Sequence, residues 1–259
     1  MKKKVKKISI APKKPVKKIK TPSQNKPSEI VPTGIASFDE LIEGGLQRNS
    51  TNMILGGSGS GKSIFATQFL VEGMKKGEKC LYVTFEEKKE KFYNNMKDFG
   101  WDLAEYEKGG LFIFLEYTPT KVKTMLEQGG GSIETIILTK KISRLVIDSI
   151  TSFALLFQEE HSKREAALSL FNMISTWNCT SILTLEEEPT AKKGSSKPLE
   201  FEADSIILLY YIQEKGQRKR YVEVLKMRGT KHSKKMHPFE INDAGISIQK
   251  SPTKNTPIE

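Results

Sequence analysis

The sequence predicts an α/β domain: a mostly parallel central sheet flanked by helices, with an antiparallel extension towards the C-terminus. Three observations predict it. A glycine-rich stretch, GGSGSGKS at 56–63, sits between a short apolar run and a run of helical periodicity. Apolar runs of strand length then alternate with helical segments, the pattern of parallel strands joined by crossover helices. Beyond residue 205 the chain is rich in strands, as an antiparallel extension requires.

Taken in order, Thr33 to Gly45 reads as a short amphipathic helix closed by a glycine pair and covering the domain's edge. Met53-Ile54-Leu55 is a buried strand. Ile64, Phe65, Phe69 and Leu70 then recur at helical spacing as far as Met74, and Gly77 offers a stop. Lys79 to Phe85 reads as a second buried strand, ending directly on Glu86-Glu87. Residues 88–99 are charged and helical, Leu111 to Leu115 is a strand, and 121–143 is helical material broken by Gly129-Gly130-Gly131. Leu145-Val146-Ile147 is buried and ends in Asp148. Helical periodicity resumes around Leu155 and through Ala166 to Ile174, and strands follow at 179–185, 205–212, 220–227 and 246–249. The polar stretch Glu186 to Lys197, with Pro189 and Gly194, reads as a mobile surface loop.

Charge is unevenly placed. The net +11 belongs to residues 1–28, which hold 11 lysines and no acid; the remainder balances 31 basic against 31 acidic residues. Lysine pairs interleaved with prolines cannot build a core, so residues 1–30 are expected to be a disordered tail, 31–250 the folded domain and 251–259 a disordered end. The tail suits a nucleic acid or an anionic surface, or serves as a solubilising arm. No apolar run reaches the ~18 residues of a membrane-spanning helix, and no secretory signal is visible, which points to a cytoplasmic protein. Cys80 and Cys179 lie in apolar runs and read as reduced core residues rather than a disulfide or metal pair.

Gly56, Gly61, Lys62 and Ser63 stand in the positions of the phosphate-binding pattern GxxxxGK(S/T). Glycines let successive backbone N–H groups turn inward around anionic oxygens, and the following helix adds its positive dipole end. Gly57, Ser58, Gly59, Ser60, Gly61, Lys62, Ser63 and Ile64 are the expected nucleotide contacts. Lys62 would reach the β- and γ-phosphates, and the Ser63 hydroxyl would be a Mg²⁺ ligand. Asp148, at the end of its apolar strand, would orient the same metal, although strand-end acids also cap helices. Glu86 and Glu87 end the neighbouring strand, where ligands bind in such sheets. Their mutual repulsion would raise one pKa and suit it to take a proton from water; which of the two acts stays open.

Five segments together, PTGIASFDELIEGGL, GGSGSGKS, LYVTFEE, LVIDSIT and VLKMRGTKHSKKMHPFEINDAGI, resemble the KaiC-like branch of the RecA superfamily from about Val31 to Gln249. The last is the most specific. The resemblance implies a RecA-type core in a homo-oligomeric ring, commonly a hexamer, with ATP between subunits. It implies that Lys226 and Arg228 reach a neighbour's γ-phosphate, and that Thr230, His232 and Asp243 touch the neighbour's nucleotide. It maps the paired glutamates onto Glu86 and Glu87 and the metal-side acid onto Asp148. Family members of the circadian clock have two such domains, whereas this chain has one. Glu200-Phe201 stand where the phosphorylated half of the clock protein has adjacent Ser and Thr, which argues against the same autokinase activity. The expected activity is Mg²⁺-dependent ATP hydrolysis. The rivals are an ATP-binding switch with little turnover and a recombinase-like DNA-binding ATPase.

Overall fold

Alternation along the central strands divides the interior into two cores. In β3 (Thr51–Gly56), Met53 and Leu55 pack on one face and Ile54 on the other. In β4 (Cys80–Thr84), Leu81 and Val83 oppose Cys80 and Tyr82; in β6 (Arg144–Asp148), Leu145 and Ile147 oppose Val146. Strands that are apolar on both faces need a helical layer on each side. One layer is α1 (Ala36–Leu41), α2 (Lys62–Lys75), α3 (Lys89–Lys97) and α4 (Leu103–Lys108), which bury Phe38, Phe65, Phe69, Phe92 and Leu103. The other is α5 (Gly131–Lys140) and α6 (Glu160–Thr176), which bury Ile133, Ile137, Leu170 and Ile174. Each such side chain contributes about 1.5–3 kcal/mol by leaving water.

The structure is a computed structural model that describes residues 30–118, 121, 131–151, 157, 159–189 and 201–253. Among these, the main sheet has the order β11-β10-β9-β8-β3-β7-β6-β4-β5. Its remaining strands are β5 (Phe112–Glu116), β7 (Thr180–Glu186), β8 (Ser205–Glu214), β9 (Gln217–Met227), β10 (His237–Asn242) and β11 (Gly245–Ile248). From β8 to β5 all neighbours are parallel; β9, β10 and β11 continue the sheet antiparallel. The expected architecture is therefore present, extension included. A separate ribbon pairs β1 (Ile30–Val31) with β2 (Leu46–Gln47).

Several elements differ from expectation, each for a local reason. The segment from Thr33 is helical only over Ala36–Leu41, because Gly34 carries φ of 80° before it and Glu43, Gly44 and Gly45 carry φ of 59°, 111° and 145° after it. Helix α4 was not expected: six residues with Leu103 alone buried leave no periodicity to read. Strand β10 was also missed, since Pro238 reads as a breaker although it pairs with Tyr221 here. Gly131 is the first described residue of α5, and the stretch expected before it, with Gly129 and Gly130, lies outside the described residues. The lysine tail, most of the loop to Lys197, the periodicity around Leu155 and the end beyond residue 253 lie outside the described residues.

Candidate functional site

The glycine-rich loop leaves the carboxyl end of β3 and runs into α2, as its pattern requires. Gly59 and Gly61 adopt φ of 75° and 100°, open to glycine and costly for other residues. A β-carbon at Gly56 would sit 2.5 Å from both the Leu209 carbonyl oxygen and Ser60 Oγ, so the loop closes only without one. Ser60 is fully buried and its hydroxyl has no partner among the described residues. Lys62 Nζ donates to the Gly56 and Gly57 carbonyl oxygens at 2.8 and 2.9 Å, which bends the ammonium back over the loop.

Strand order brings the acids to this loop. Next to β3 lies β7, whose Glu186 is opposite Gly56; then β6 with Asp148, opposite Thr84 of β4; then Glu86 and Glu87, which follow β4. Ser58, Gly59, Lys62, Ser63, Thr84, Glu86, Glu87, Asp148, Ser149 and Glu186 enclose a pocket of about 190 Å³. The backbone N–H groups of Glu86 and Glu87 both donate to Thr84 Oγ1 at 3.2 Å, which turns the chain so that both carboxylates reach the pocket. Ser149 Oγ donates to Glu86 Oε1 at 3.3 Å. Burial, then Asp148 and Glu86, raise the Glu87 carboxyl above its usual range, with Lys91 opposing. Burial lowers the Lys62 ammonium, while Glu186, Asp148, Glu188 and Glu86 hold it up.

Both oxygens of Asp148 are engaged: Tyr82 donates to Oδ2 at 2.5 Å, and Thr184 donates to Oδ1. Among the described residues no group of three His, Cys, Asp or Glu side chains is disposed to hold a metal. The available donors are the Ser63 hydroxyl and nearby carboxylates. These hard oxygens fit Mg²⁺, which takes few protein ligands and completes its shell with water and phosphate oxygens.

The residues around 226–243 do not gather in one place. Met227 pairs with Ser205 at the start of β8, whereas Gly56 pairs with Leu209. Along the sheet, Lys226 therefore stands three strand residues, about 10 Å, from the level of the chain's own loop, and Arg228 stands farther off, beyond Met227. There, Arg228 donates to the Phe201 carbonyl oxygen at 2.8 Å and pairs with Asp204 at 3.4 Å, and Lys226 donates to the Phe201 carbonyl at 3.1 Å. Thr230 accepts from Gln47 at 3.2 Å, and His232 lies 3.5 Å from the Thr230 carbonyl. Asp243 is different. It occupies the β10–β11 turn on the side of its own loop, where Ile241 Cδ1 would be 3.1 Å from a β-carbon on Gly61 and Ile246 N–H donates to Gln68 of α2 at 2.9 Å. The β9–β10 reversal carries the chain back, so the turn that holds Asp243 lies at the opposite end of the sheet from Lys226 and Arg228 of the same chain.

Two residues join the site unforeseen. Arg220 Nε donates to the Gly59 carbonyl at 3.1 Å with its guanidinium 4.3 Å from the Tyr211 ring. In the sequence it is one member of a basic strand; only the pairing of β8 with β9 brings it to the loop. Glu186 was read as the start of a loop and instead ends β7 at the pocket.

A profile of the KaiC ATPase family matches residues 31–253. The chain belongs to the KaiC ATPase family. Among KaiC-family relatives, it is 34% identical over 236 residues to a UPF0273 protein of Pyrococcus furiosus, covering 84% of this chain and 93% of that protein. It is 34% identical over 229 residues to the circadian clock protein KaiC3 of Synechocystis, covering 85% of this chain and 45% of the longer protein. The fold matches the crystal structure of a KaiC-like protein from Pyrococcus horikoshii OT3 with a TM-score of 0.76 and 37% identity, over 86% of this chain and all of that one. The KaiC domain here is thus an ATPase domain of RecA type. Among the described residues no helix is long and apolar enough to cross a membrane.

Proposed function

We propose that this KaiC-family domain hydrolyses ATP in a Mg²⁺-dependent reaction at sites shared between copies of the chain in a ring. The observation that carries the reading is the division of the candidate residues between two ends of one sheet. Loop, glutamates and Asp148 meet at the carboxyl end, while Lys226 and Arg228 lie towards the other, bonded to Phe201 and Asp204. Exposed apolar side chains beside them, Phe201 and Leu225, favour a covered face there.

In this reading Lys62 and the loop amides from Gly57 to Ile64 bind and orient the triphosphate. Ser63 and Asp148 hold the metal, which when bound draws charge from the phosphate oxygens. Glu86 or Glu87 takes a proton from the attacking water, and the raised Glu87 carboxyl suits that role. The neighbour's Arg228 fork and Lys226 ammonium stabilise charge on the transferring group. The role is regulatory or signalling rather than autokinase. The lysine-rich tail adds an anionic surface or nucleic acid as a further contact, and the compartment is the cytoplasm. Steady-state phosphate release by the purified chain, with Lys62→Ala as control, and native mass with and without ATP test the proposal. No release above the control, or a monomer at every nucleotide concentration, would sink it.

A further inference from the structure

The hydroxyl of Tyr82 is out of place in the core that holds it. Tyr82 is 1% exposed, and its ring stacks on Phe114 at 5.5 Å and leans on Phe92 at 4.5 Å. That cluster asks only for an aromatic ring, which phenylalanine would supply. The added oxygen is used at the site instead. Tyr82 and Asp148 are diagonal neighbours on one face of the β4–β6 pair, since Tyr82 is opposite Val146 and Thr84 opposite Asp148. The phenol donates to Asp148 Oδ2, and Thr184 of the flanking strand β7 donates to Oδ1.

An ionised carboxylate offers about four acceptor positions. Two donors, one to each oxygen, fix its rotation and leave the others for water at the pocket wall that it shares with Ser63. Groups that orient a metal's ligands affect metal affinity by about 10–100-fold without touching the metal. We propose that Tyr82 is a positioning residue for the metal side of this site: with Thr184 it clamps Asp148 and so sets how tightly Mg²⁺ is held with the nucleotide. This rests on the reading of the loop as a nucleotide site given above.

The test is binding of a fluorescent ADP analogue, titrated with Mg²⁺ and repeated in EDTA. Tyr82→Phe keeps the ring. It should raise the Mg²⁺ concentration for half-maximal tightening about tenfold, with affinity in EDTA unchanged. Thr184→Val should act in the same direction, and Thr184→Ser, which keeps a hydroxyl, should restore most of the metal response. Should Tyr82→Phe not fold, the Thr184 pair carries the same comparison. A wild-type Mg²⁺ midpoint in Tyr82→Phe and Thr184→Val, or an equal loss of affinity with and without Mg²⁺, overturns the clamp. Absence of ADP binding in the wild-type chain overturns the nucleotide site itself and the clamp with it, a separate and recognisable result.

Discussion

The Glu188 carboxylate lies against Gly57 so closely that a β-carbon at Gly57 would stand 1.9 Å from Glu188 Oε1. It is also one of four acids that act on Lys62. A carboxylate beside a phosphate loop competes with the anion that the loop binds. Glu188→Gln should therefore tighten binding of the fluorescent ADP analogue. The gain should be modest, about two- to fivefold at low salt and less at high salt, because the group is exposed and screened. Binding titrations at two ionic strengths check it, and weaker binding would count against the competition.

The two glutamates are separable by single substitutions. Glu86→Gln and Glu87→Gln each keep shape and remove the base. The residue that activates water should lose about 10²–10⁴-fold in turnover, and its partner far less. Phosphate-release assays of the two variants decide, and if both turn over like the wild type, neither is the base.

Sharing of sites can be read from mixtures. Lys62→Ala and Arg228→Ala chains should each be nearly inactive, with Arg228→Ala reduced by about 10³–10⁵-fold. Mixed, they form some interfaces with an intact loop facing an intact arginine, so phosphate release should rise above either alone. No rescue at any ratio would show that Arg228 does not act across an interface.

Acid titration offers a test far from the loop. Burial pushes the Asp39 carboxyl up from its ordinary 3.8 to about 6, although Thr33 N–H and Oγ1 donate to it. The folded chain keeps that proton over a range where the unfolded chain has released it. This contribution to stability is complete below about pH 4 and is lost as the pH rises through about 6. Asp39→Asn has no such titration. Between about pH 4 and pH 7 the stability of the wild type relative to the variant should fall by about 2 kcal/mol. Chemical denaturation at the two pH values measures it.

Arg144 predicts a purely structural loss. It is fully buried under α2, with Nε on Glu78 at 2.5 Å, Nη1 on the Pro32 and Phe69 carbonyl oxygens at 2.8 and 2.7 Å, and the Phe69 ring at 4.7 Å. Removing Arg144 leaves two carbonyl oxygens without this donor and the half-buried Glu78 carboxylate without its partner. Arg144→Ala should cost about 3–5 kcal/mol in denaturant titrations. A change below about 1 kcal/mol would mean that Glu78 and the two carbonyls find water instead.

Local pattern determined the parts of this protein that depend on neighbours along the chain. The phosphate loop, the strands ending in Glu86-Glu87 and Asp148, and the helix from Lys62 follow from backbone freedom at glycine, the period of apolar side chains and the pairing of an acid with a strand end. Those requirements are local, so they can be read residue by residue. Tertiary structure alone decided what depends on strand order and register. Only the sequence of strands β8-β3-β7-β6-β4 places Glu186 between the loop and Asp148. Only the antiparallel return through β9 and β10 brings Arg220 and Ile241 to the loop while leaving Arg228 at the far end. Pairing across a sheet is a non-local hydrogen-bonding choice, and no single stretch of the chain carries it.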